Sequence, residues 1–81
     1  MEASNSQRFV NLISEILRIP PKEVVDAAGM DDIGTWDSLS HMQLIITIES
    51  EYGIELSAEE IVGMRTVGKI RELLHSKGIE A

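Results

Sequence analysis

Eighty-one residues are enough for one small domain with a single core, and a chain of this size buries only about 60% of its unfolded surface. There is no cysteine and there are only two histidines, His41 and His75, so a disulfide, a thiol nucleophile and a Cys- or His-rich metal site all lack material. The net charge of −7 is unevenly spread. Ten acids and no Lys or Arg fall between Glu23 and Met64, while the remaining segments carry four acids against seven bases. An acidic block of this kind repels nucleic acid and anionic membranes and attracts basic protein surfaces; as a bland alternative it is a solvated face. No basic leader precedes an apolar run, and no run nears the ~18 apolar residues of a membrane span. The expectation is a soluble, cytoplasmic, monomeric chain forming one domain over residues 1–81.

The first element is a helix. Phe9, Leu12, Ile13, Ile16 and Leu17 follow the i, i+3, i+4, i+7, i+8 spacing of one helical face. Ser4, Asn5 or Ser6 is a suitable cap, and Pro20-Pro21 should end the helix, because proline lacks a donor and disfavours helix in the residue before it. A long connection follows, roughly residues 20–37. Val24, Val25, Ala27, Ala28, Met30 and Ile33 suit packing on the core, with a helical turn near Lys22–Ala28. The second helix starts near Asp37 or Ser38 and runs to about Tyr52, where Gly53 stops it. Ser57 and Glu60 have the spacing of a capping box for a short third helix ending near Gly63. Thr66 caps a fourth, with Val67, Ile70, Leu73 and Leu74 inward and Gly78 at its end. The predicted fold is all-α: a small four-helix bundle with a long loop between helices 1 and 2 and a short helix 3.

The second helix holds more apolar surface than one face can bury. Leu44, Ile45, Ile48 and Tyr52 form one face; Leu39, Met42 and Ile46 run along a neighbouring stripe. The stripe is either an exposed docking surface or a second core face covered by the loop. Ser38 stands one residue before it. A hydrolytic serine needs an aimed base and a group orienting that base, and Asp37 and His41 on the same helix turn do not supply that arrangement. The G-x-S-x-G elbow is absent, and Asp31, Asp32 and Asp37 do not fit an EF-hand loop. Capping by Ser38 or Asp37 is one available role. Another is attachment: a hydroxyl at a helix N-terminus suits a phosphate group added by a separate enzyme.

The segment "DSL", Asp37-Ser38-Leu39, resembles the signature around the modified serine of acyl carrier proteins. "IGTWDSL" resembles that family's "LGxDSL", "IESEYGIEL" its acidic-aromatic helix end, and "MRTVGKIRELL" the opening of its last helix. The resemblance implies that Ser38 receives 4'-phosphopantetheine from coenzyme A through a phosphopantetheinyl transferase. The arm's terminal thiol then carries an acyl group as a thioester, which accounts for the missing cysteine. It further implies that Leu39, Met42 and Ile46 dock acyl-loading and acyl-processing enzymes with basic surfaces. Asp37, Glu49 and Glu60 fall in the family's acidic recognition region. Trp36, and Ser40-His41-Met42-Gln43 where the common pattern reads "DTVE", depart from fatty-acid carriers and point to a specialised, polyketide-type or related pathway. Trp36 reads as a loop anchor or a partner contact. Rival readings are an aminoacyl or peptidyl carrier, a fatty-acid synthesis carrier and, outside the class, an unmodified acidic adaptor.

Overall fold

The computed structural model describes residues 4–81. Its elements are α1 (Asn5–Leu17), α2 (Ser38–Tyr52), α3 (Ala58–Gly63) and α4 (Val67–Ser76), with a 3-10 turn at Pro21–Glu23. The described residues form no strand; an isolated antiparallel bridge joins Gly29 to Thr66. This is the expected all-α bundle with a long first loop and a short third helix.

Each helix starts on a side chain that accepts from an orphan backbone N–H. Ser4 takes the amide of Gln7, Asp37 that of Ser40, Ser57 that of Glu60 and Thr66 that of Lys69. At α3 the box closes, because the Glu60 carboxylate accepts from the Ser57 amide at 2.9 Å. Gly53 ends α2 in the left-handed region at φ 63°, where a Cβ would be strained.

α1 ends just ahead of the prolines as expected, and the turn that closes it is at Arg18, which is left-handed at φ 57° and returns its N–H to the Ser14 carbonyl. Pro21 opens the 3-10 turn, where its fixed φ and missing donor cost nothing. The helical turn of the loop is therefore confined to Pro21–Glu23 and does not reach Ala28.

The loop packs as expected, though only through part of its apolar set. Val24 and Ile33 are buried, Ala28 and Met30 are half-buried, and Val25 and Ala27 face outward. Its main-chain carbonyls serve α4 directly. Ala28 accepts from the Val67 amide at 2.9 Å and Asp26 from the Gly68 amide at 3.0 Å, while the Met30 amide donates to Arg65 at 3.0 Å. Two orphan donors of α4 are thereby satisfied by a segment distant in sequence. This needs a close approach at Gly29, where a Cβ would lie 2.7 Å from the Arg65 carbonyl oxygen.

The core joins Phe9, Ile13 and Leu17 of α1 to Leu44, Ile45 and Ile48 of α2 and Val67, Ile70 and Leu74 of α4, with Met64 between α3 and α4. Arg71 lies over the Phe9 ring, 5.0 Å from its centroid, and pairs with Asp26 at 3.1 Å. α3 is different: none of its own residues is fully buried.

Candidate functional site

The head of α2 is set by two short-range bonds. Asp37 is the cap, with Oδ1 accepting from the Ser40 amide at 2.9 Å. Ser40 is buried, and its hydroxyl donates to the Thr35 carbonyl at 2.5 Å, tying the loop to the first turn. Ser38 is then the first helical residue and not the cap, so the cap role left open between the two residues belongs to Asp37. The Ser38 side chain is exposed. Its hydroxyl makes none of the side-chain hydrogen bonds found among the described residues. The Ser40 amide and then the Ser40 hydroxyl hold the Asp37 carboxyl below the usual carboxylate range.

The stripe beside Ser38 faces outward. Leu39 is 70%, Met42 52% and Ile46 62% exposed, whereas Leu44 and Ile48 on the other face are fully buried. Of the two readings of this stripe, the covering loop is ruled out: the loop sits on α4 and the core. Val62 on α3, 71% exposed, is a further large apolar side chain that sequence reasoning passed over. Its signal was weak, because a single valine in a six-residue helix has no period to betray it.

Trp36 is buried, 2% exposed, as a loop anchor. Its indole N–H donates to Nδ1 of His41 at 3.1 Å, with the rings stacked at 28°. Nε2 of His41 lies 2.9 Å from the Ile61 carbonyl oxygen. An indole N–H only donates, so Nδ1 accepts and the proton sits on Nε2, which donates to Ile61. Trp36, His41 and Ile61 thus link the loop, α2 and α3 in one chain.

The remaining acids expected here also hold backbone. Glu49 Oε2 accepts from the Leu56 amide at 2.9 Å, fixing the α2–α3 connection. Glu60 holds the Ser57 amide and pairs with Lys77 at 3.1 Å; the amide first, then Lys77, lower its pKa from the ordinary carboxylate value. From Ser38 to Ile48, α2 carries no Asp, Glu, Lys or Arg. Two open grooves, about 260 Å³ between α1 and α2 and about 290 Å³ beside Met64, lie elsewhere; Ser38 lines neither.

The family model described as "Phosphopantetheine attachment site" matches residues 7–74. The chain belongs to the acyl carrier protein family. Its cofactor is 4'-phosphopantetheine. This carrier is 36% identical over 74 residues to the acyl carrier protein of Rhodococcus erythropolis, covering 86% of this chain and 80% of that one. It is 35% identical over 75 residues to the acyl carrier protein of Buchnera aphidicola, covering 91% and 92%. A solved chain from Mycobacterium tuberculosis, provisionally described as an acyl carrier protein, shares the fold at TM-score 0.79 and 24% identity, over 91% of this chain and 99% of that one. The carrier's described residues contain no helix long and apolar enough to cross a membrane.

Proposed function

We propose that Ser38 is the attachment point and that this carrier moves thioester-bound intermediates between separate enzymes in a specialised, polyketide-type or related pathway of the cytoplasm. The observation that carries the assignment is the free, exposed hydroxyl of Ser38 at the first position of α2, between a fixed cap and an exposed apolar stripe. The fit to a phosphodiester is physical. The N-terminal end of α2 favours negative charge, and Asp37 and Ser40 hold the turn so that Ser38 points to solvent without being needed for capping. Once attached, the arm supplies a thiol that holds an acyl group as a thioester. The chain itself supplies no catalysis; it presents the hydroxyl, and a phosphopantetheinyl transferase joins Ser38 Oγ to the arm's phosphorus as adenosine 3',5'-bisphosphate leaves.

Docking runs through Leu39, Met42 and Ile46. Asp37, Glu49 and Glu60 contribute negative potential at the rim toward basic partner surfaces while their carboxylates hold backbone amides. The specialised pathway is supported by Trp36 and His41, which depart from the common pattern and here form a built contact, and by Ser40 and Gln43, which stand where that pattern carries acids. Incubation with coenzyme A and a broad-specificity transferase, followed by intact and peptide mass analysis, should place one phosphopantetheine on Ser38 and none on Ser38→Ala. No adduct with several transferases refutes the assignment. Loading by candidate acyltransferases and adenylating enzymes separates acyl from aminoacyl cargo.

A further inference from the structure

We propose that His41 is a positioning residue: by holding the Ile61 carbonyl it sets α3 beside α2, so that Val62 completes one docking surface with Leu39, Met42 and Ile46. The inference rests on the reading of Ser38 as the attachment point.

α3 needs such a tether. It has six residues, too few to be stable alone, and it buries none of them fully. Its capping box and the Glu60–Lys77 pair fix its start and its α4 side. Toward α2, Glu49 holds the segment before α3 through the Leu56 amide, and α3's own residues are held by the bond from His41 Nε2 to Ile61 at 2.9 Å. His41 is in turn kept from rotating by the indole N–H of buried Trp36, which engages Nδ1 at 3.1 Å. The two residues that depart most visibly from the carrier pattern are therefore one device.

Its output is the placement of Val62. Met42 follows His41 in the chain and Val62 follows Ile61, and both side chains are exposed, so the hydrogen bond between His41 and Ile61 fixes where Val62 stands relative to the stripe. The occupant is the transferase that modifies Ser38, presenting an apolar surface. An enzyme gripping the Ser38 hydroxyl must cover the residues immediately after it, and the stripe begins at Leu39.

The test uses the unmodified chain, coenzyme A and the transferase that loads it, with kcat and KM for the chain measured separately. Val62→Asp and His41→Phe should each raise KM about threefold or more and leave kcat within about twofold, the signature of lost binding without lost chemistry. The double variant should be no worse than the worse single one, because His41 acts only through Val62's placement. His41→Gln, whose amide reaches the Nε2 position, should keep the wild-type KM, whereas His41→Asn, which reaches only the Nδ1 position, should not. This Gln–Asn contrast decides the matter even if His41→Phe fails to fold. Additive effects, a silent Val62→Asp, or Gln and Asn behaving alike overturn the inference. If the wild-type chain takes no phosphopantetheine, the attachment reading itself falls and carries this one with it; normal loading with insensitive variants removes this inference alone.

Discussion

Leu39 and Leu44 offer the same chemistry on opposite faces of one helix, and truncating each to alanine separates docking surface from core. Leu44 is fully buried in the core cluster, so Leu44→Ala loses its transfer free energy and leaves a cavity, about 2–5 kcal/mol. At roughly 0.05–0.15 kcal/mol per residue, a chain of 81 residues has only about 4–12 kcal/mol of stability. At about 4–8 °C per kcal/mol, the melting midpoint should fall by about 8 °C or more, and the folded state becomes marginal at ordinary temperatures. Leu39 is 70% exposed, so Leu39→Ala should change stability by no more than about 0.5 kcal/mol while raising the transferase's KM for the chain severalfold. Urea unfolding followed by circular dichroism gives the stability arm, and phosphopantetheinylation rates the other. Equal destabilisation by the two substitutions would show that the stripe is core and refute the division of α2 into two faces.

The depressed carboxylates predict an acid limb. Asp37 and Glu60 bind protons less readily folded than unfolded, so their contribution is complete above the usual carboxylate range and disappears as pH falls through their lowered folded values. Melting midpoints from about pH 6 to 2 should drop for the wild type and flatten in an Asp37→Asn/Glu60→Gln variant, since asparagine still caps without titrating; an unchanged limb contradicts this. Gly29→Ala should cost about 1–3 kcal/mol because its Cβ meets the Arg65 carbonyl, whereas Gly34→Ala, with open space around it, should stay within about 0.5 kcal/mol in the same urea assay. Glu49→Ala should lose about 0.5–1.5 kcal/mol with the Leu56 hydrogen bond, and Glu49→Gln should retain most of it; equal losses would mean that the bond contributes nothing.

Local chemistry made most of the fold readable. Capping residues, the Ser57–Glu60 box and the left-handed Gly53 act within three or four residues of themselves, so their consequences lie within a short window of sequence. At the end of α1, proline's penalty is visible in the sequence, but the left-handed turn at Arg18 that closes the helix is not. At the site, Asp37-Ser38-Leu39 pointed to the serine proposed for attachment, whereas the His41–Ile61 bond and the exposure of Val62 depend on neighbours that only folding brings near.

By itself, then, the sequence determined four helices, the capping residues near their starts and the serine at the head of the second one, because helix periodicity and capping are short-range. The tertiary structure decided which apolar face of α2 meets water, since that depends on where the long loop goes, and the loop goes to the amides of α4. It also redistributed charge. Arg8, Arg65, Arg71 and Lys77 from the basic ends fold back onto Glu51, Asp31, Asp26 and Glu60, so the acidic block of the linear chain is partly neutralised in space. Burial and charge pairing are sums over neighbours distant in sequence, and those sums exist only once the chain has folded.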